Sequence, residues 1–239
     1  MLFVHPFAEE MNKSRRMVSL NSRALAAAGF DVLLIDLLGC GDSSGDFGDA
    51  TWGTWERDLD AAIRWLAARG DGPVWLWGLR IGGLLAAATA SRLGARSHLL
   101  LWQPVVSGRR FVQQFLRSRV MRDAIRDGAE RSTTSTLMNA LSAGDTIEVG
   151  GYTIAPALLL PLDQLEMSAL PVGSVVHWLE VSDSDAPGPS HVANEFAGRW
   201  RNCGVDVTTN AVVGAQFWQT QEITECMPLV QSSVNLLTR

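Results

Sequence analysis

Val74-Trp75-Leu76-Trp77 passes through Gly78-Leu79-Arg80-Ile81-Gly82 directly into an alanine- and leucine-rich run that ends at Leu93. A short apolar run bounded by glycine and followed at once by a helix-forming segment predicts a strand over Val74–Trp77 and a helix over Ile81–Leu93. Gly78 and Gly82 frame the turn between them. A strand and a helix joined this closely bring backbone against backbone and leave little space for Cβ atoms. The central side chain of the turn is that of Arg80. A guanidinium stays charged at physiological pH, donates hydrogen bonds only, and cannot act as a nucleophile.

The rest of the chain repeats this unit. Predicted strands over Leu2–His5, Asp31–Asp36, Ser97–Trp102, Val175–Val181 and Val205–Val212 alternate with predicted helices. These cover Lys13–Ala28, Thr54–Arg69, Ser190–Cys203 and Gln219–Leu237. Such alternation specifies an α/β fold with a mostly parallel sheet and helices on both faces. Residues 103–171 break the rhythm. There the pattern predicts an arginine-rich helix over Arg109–Arg126, a short helix over Thr134–Leu141, a small hairpin over Ile147–Ile154 and a helix over Ala157–Met167. The 239 residues fit a single domain, 1–239, carrying this stretch as a small, mainly helical cap.

Composition narrows the partners. A net charge of -5 argues against nucleic acid or an anionic membrane surface, and no apolar run is long enough to span a bilayer. Cys40, Cys203 and Cys226 are odd in number and widely spaced, which suits reduced thiols in the cytoplasm. Neither zinc-type Cys/His spacing nor G-x-G-x-x-G after a strand occurs, so neither metal nor cofactor is expected. Nine tryptophans stand against one tyrosine, several of them near predicted strand ends where a pocket is lined.

The Gly78–Gly82 turn has the spacing of the G-x-S-x-G nucleophile elbow of α/β-hydrolases, with Arg80 in the serine slot. His5-Pro6-Phe7 follows the first strand, where that fold places a loop supplying one oxyanion donor. Pro6 has no amide hydrogen, so the donor is the amide of Phe7 or Ala8, and the second is the amide of Ile81. The alternative for His5 is a buried side chain that fixes the loop. Asp183 and Asp185 follow the strand on which a triad acid is carried, although an exposed Asp pair before Ala186-Pro187-Gly188-Pro189 also suits a turn. After the last predicted strand, Gln216 takes the histidine slot, and glutamine cannot take a proton. His191 and Cys40 are the weaker substitutes for base and nucleophile. Arg80 requires a partner, because an unpaired buried cation is costly. The choices are an internal plug by Glu9, Glu10 or Asp183, or a ligand anion held with the help of the following helix N-terminus.

Leu2-Phe3-Val4-His5-Pro6-Phe7-Ala8-Glu9-Glu10, Gly39-Cys40-Gly41-Asp42-Ser43-Ser44-Gly45 and Trp77-Gly78-Leu79-Arg80 resemble the "hydrolase 2, exosortase A system-associated" family, as does Trp102-Gln103-Pro104-Val105 further on. The resemblance covers essentially the whole chain. It implies an α/β-hydrolase fold in a bacterial cytoplasmic protein encoded beside exosortase (PEP-CTERM) sorting and exopolysaccharide functions. Members usually carry residues before the first strand here. An α/β-hydrolase sheet normally opens on an antiparallel hairpin, so the N-terminal hairpin strands are expected to be missing and Asp31–Asp36 to be an open sheet edge; either the sequence starts late or a second copy pairs along that edge.

Two functions follow. One is a hydrolase acting on an acyl ester, thioester or related carbonyl substrate, with Arg80 as electrostatic stabiliser and Asp183 or Asp185 as base. The other is a pseudo-hydrolase binding a small acyl or carboxylate ligand, or a protein partner.

Overall fold

The computed structural model describes residues 1–70, 72–94, 97–125 and 132–238. In chain order the elements are β1 (Leu2–Val4), α1 (Glu9–Ala27), β2 (Leu33–Leu34), α2 (Trp52–Ala67), β3 (Val74–Leu79), α3 (Ile81–Leu93) and β4 (Ser97–Trp102). Then come α4 (Gly108–Ile125), α5 (Thr134–Ala143), β5 (Ile147–Val149), β6 (Tyr152–Ile154), α6 (Pro156–Asp163), β7 (Val175–Ser182), α7 (His191–Asn202), β8 (Asp206–Val213) and α8 (Met227–Leu237). Of the arginine-rich segment, Arg126 and Arg131 lie outside the described residues.

The chain forms two compact units. The first comprises Met1–Ile35, Ala62–Pro104 and the stretch from Ser168 onward. Its six-stranded sheet has the order β2-β1-β3-β4-β7-β8, and every pairing in it is parallel. Side chains alternate across a strand, so Phe3, Trp77, Leu100, Trp102, Leu179 and Val181 share one face. They pack there with Met17, Val18 and Leu25 of α1 and Leu229 and Val230 of α8. Gly78 points to the opposite face, where it meets α3. On that face Trp178 of β7 also packs against Phe196 and Trp200 of α7. Among the described residues, no helix is long and apolar enough to cross a membrane.

The second unit comprises Asp36–Ala61 and Val105–Met167. It contains the β5–β6 hairpin and α4 to α6, so Asp36–Ala61 joins the stretch expected to stand apart. Asp36 organises its glycine loop: its Oδ2 accepts the Asp42 amide at 2.9 Å. A Cβ on Gly41, at φ 54°, would lie 2.0 Å from that oxygen.

Several predicted boundaries shift, α1 for example beginning at Glu9 rather than Lys13, and three of the shifts have a local reason. β2 is two residues long, because β1, its partner among the described residues, is itself three residues long and runs into Pro6, which has no amide to donate. α6 stops at Asp163, since the backbone beyond it pairs elsewhere: Leu165 O accepts the Gly108 amide and Val106 O accepts the Met167 amide, both at 2.8 Å. α8 begins at Met227 rather than Gln219, with Pro228 in its first turn, where proline favours a helix start.

Candidate functional site

β3 extends to Leu79, which pairs with Trp102 of β4, and the Arg80 amide donates to Trp102 O at 3.0 Å. The chain then reverses at Arg80, whose φ is 55° and ψ is -119°, and α3 starts at the next residue. A non-glycine residue in that region costs about 1–3 kcal/mol and persists only where its surroundings over-determine it. The glycines on either side supply the constraint. A Cβ on Gly78 would lie 2.5 Å from Gly83 Cα, and one on Gly82 would lie 2.1 Å from Val4 O. The spacing that predicts an elbow therefore builds one, and it lies against the end of β1.

The loop after β1 makes the same turn. Ala8 has φ 50° and ψ -125° and caps α1, so α1 and α3 each begin just past the end of one of two neighbouring parallel strands. Among the described residues, the amides of Ala8 and Ile81 have no acceptor. His5 is buried, and its Nδ1 lies 2.8 Å from Pro6 O. That contact suits the loop-fixing reading. Phe7 is buried, and its carbonyl accepts the Glu10 amide at 3.1 Å.

Of the three carboxylates proposed to meet Arg80, one does. Glu10, in the first turn of α1, places Oε1 3.3 Å from Arg80 Nε. The Arg80 and Glu10 side chains are 18% and 21% exposed. Glu9 instead bridges Lys13 at 3.2 Å. Glu10 Oε2 is buried without a hydrogen-bond partner. Burial pushes the Glu10 carboxyl above the usual carboxylate range, while the charge and hydrogen bond of Arg80, and the charge of Lys13, pull it part of the way back. The guanidinium commits only Nε. Among the described residues its terminal nitrogens have no partner.

The last loop reaches Arg80 through a residue that the triad pattern does not single out. The Arg80 guanidinium carbon lies 5.6 Å from the centre of the Trp218 ring, within cation–π range. Trp218 is fully buried and ends a run of aromatic contacts. Phe3 meets Trp77 at 4.5 Å, Trp77 meets Trp102 at 4.8 Å, Trp102 meets Phe217 at 6.1 Å, and Phe217 meets Trp218 at 5.0 Å. The excess of tryptophan near strand ends is the sequence signal for this floor. Gln216, by contrast, accepts a hydrogen bond from the Gln219 side chain within its own turn.

Asp183 and Asp185 are exposed, and neither bonds to Arg80 among the described residues. The buried carboxylate of this region is that of Glu180 on β7. It accepts the Ser190 amide at 2.6 Å, the Ser190 hydroxyl at 2.8 Å and Trp178 Nε1 at 3.3 Å. Ser190 in turn caps α7 through the Ala193 amide, so Glu180 fixes a helix start. His191 is an exposed first residue of α7, and Cys40 is buried in the glycine loop.

Arg80 and the Ile81 and Ala8 amides offer donors only, which suits an oxygen-rich anion or a carbonyl. The apex itself holds a guanidinium, and among the described residues the carboxylate that meets it is that of Glu10.

A family model described as alpha/beta hydrolase fold matches residues 1–99, the part that carries the elbow. Among curated proteins there is no match. Among solved structures, Est1E from Butyrivibrio proteoclasticus, bound to ferulic acid, is similar with a TM-score of 0.69. It is 14% identical over 99% of this chain and 86% of that one. A thermostable carboxyl esterase from Bacillus coagulans, in complex with glycerol, is similar with a TM-score of 0.64 and 15% identity, over 99% of this chain and 88% of that one. The chain has the α/β-hydrolase fold.

Proposed function

We propose that this chain is a pseudo-hydrolase that holds the carboxylate end of an acyl ligand at Arg80. One observation carries the reading. The elbow is intact down to its strained backbone, yet it presents a guanidinium with uncommitted terminal nitrogens. Beside it stands an Ile81 amide that has no acceptor among the described residues. A planar guanidinium and a carboxylate match in geometry, and the N-terminus of α3 favours negative charge. Hydrolysis of an acyl ester would require a nucleophile and a base, and the residues in those two slots are Arg80 and Gln216. Fold likeness to esterases does not supply the missing atoms. The same proposal sets the protein in the cytoplasm of an exosortase-associated system, on the family resemblance described above. It also lets two copies pair along β2.

The test is calorimetric binding of straight-chain carboxylates from four to sixteen carbons, combined with turnover of the matching aryl esters and thioesters. Wild type is expected to bind, and Arg80→Ala to bind about 10–100-fold more weakly, the worth of one charge-assisted contact. Ester turnover by wild type that collapses in Arg80→Ala would replace the binding reading with a catalytic one.

A further inference from the structure

The pairing of Arg80 with Glu10 has a consequence for what the site takes up. This step rests on the reading of Arg80 as the ligand's anchor. With both side chains ionised the pair is neutral. Adding a ligand carboxylate would put two negative charges around one guanidinium, with both protein side chains about four-fifths shielded from water. Two carboxylates sharing a site cannot both ionise cheaply. Glu10 is the partner that can give way. Its Oε1 makes a single 3.3 Å contact with Arg80, and its Oε2 is buried with no hydrogen-bond donor.

We propose that Glu10 is an internal stand-in for the ligand: an incoming monocarboxylate takes its place on Arg80 and Glu10 accepts one proton. The balance is one carboxylate and one proton in, equivalent to uptake of one neutral carboxylic acid, with no covalent bond made or broken in either carbon skeleton. The site therefore discriminates by ligand charge. A monocarboxylate binds with a single proton, whereas a phosphate or dicarboxylate leaves an uncompensated charge.

The charged groups acting on Glu10 are Arg80 from the elbow and, from the next turn of α1, Lys13, which is itself held by Glu9. Trp218 closes the other side of Arg80 without a charge. Burial already disfavours the Glu10 carboxylate, and a second anion on Arg80 adds to that disfavour.

The probe is octanoate, titrated calorimetrically from pH 5.5 to 8 in buffers of different ionisation enthalpy. Wild type is expected to take up close to one proton per octanoate bound. Its affinity should fall about tenfold per pH unit on the alkaline side of that range, as linkage requires for one proton. Glu10→Gln should bind octanoate more tightly at pH 8, take up no proton and lose the pH slope. The buffer comparison on wild type needs no variant, so a misfolded Glu10→Gln leaves the test intact. Binding that depends on Arg80 but takes up no proton would overturn the proposal while leaving the anchor reading in place. Octanoate binding that is absent, or that survives Arg80→Ala, would overturn both.

Discussion

Ala8 and Arg80 hold the same left-handed backbone, but only Arg80 has a side chain with something to reach. Its Nε meets Glu10 and its face meets Trp218, so the strain at Arg80 is offset by contacts that depend on it. At Ala8 the strain of about 1–3 kcal/mol has no polar side-chain contact to offset it and serves the backbone, placing α1 and the Ala8 amide. Replacing Ala8 with glycine releases it, against about 0.4–1 kcal/mol of extra freedom in the unfolded chain. Ala8→Gly is expected to stabilise the protein by about 1 kcal/mol, read as a higher urea midpoint at unchanged slope. A lower midpoint would mean that the buried methyl group packs better than the backbone is strained. The two positions also differ in legibility. Arg80 is conspicuous because glycines at 78 and 82 define a slot, whereas alanine carries no turn signature, so Ala8 is legible as a candidate amide donor but its positive φ is not. Glu10 is legible as one of three carboxylates in reach. Trp218 is not, because the pattern of a last-loop residue directs attention to Gln216, two positions earlier.

At the scale of elements, α3 and β1 approach each other backbone to backbone at Gly82. The Cβ of an alanine at 82 would sit 2.1 Å from Val4 O and 2.6 Å from His5 O, both of them backbone. Neither can swing aside, so the helix start must move away from the strand. Gly82→Ala is expected to cost about 3 kcal/mol, at the upper end of ordinary overpacking, and to weaken ligand binding by displacing Ile81. Urea denaturation reads the first effect and calorimetry the second. Little or no change in the urea midpoint would show that the contact between β1 and the elbow is looser than its geometry. This junction was readable because a glycine-framed turn between an apolar run and an Ala/Leu-rich run has few alternatives. The ends of other elements were less readable, since the deciding contacts lie far away in sequence. The length of β2 depends on β1, and the end of α6 depends on the backbone of Val106 and Gly108. The start of α8 was available in Pro228, but the amphipathic run before it reads equally well as helix.

At the scale of the whole molecule, two partly buried ionisable groups tilt stability in opposite directions with pH. Burial places His98 below the ordinary imidazole value of 6.5, with a hydrogen bond to the Ser97 backbone opposing it. Its Nδ1 accepts the Val175 amide at 3.1 Å, which fastens β4 to the first residue of β7 and requires that nitrogen to be unprotonated. A folded value below the unfolded one means that the unfolded chain binds more protons. The contribution of His98 is therefore full above pH 6.5 and is lost as pH falls through the depressed value. Glu10 lies above its ordinary value of 4.5 because of burial, so its contribution is full below pH 4.5 and is lost as pH rises through the raised value. His98→Asn keeps an acceptor for the Val175 amide but does not titrate. Compared with wild type, it should lose less stability between pH 6.5 and 5, while Glu10→Gln should lose less between pH 5 and 8. The side chains share no contact, so the double variant should show both changes added together. The measurement is the urea midpoint at half-unit pH intervals for all four proteins. An acid limb that is identical in wild type and His98→Asn would mean that the β4–β7 joint does not sense pH, and that other groups carry the acid sensitivity of the sheet.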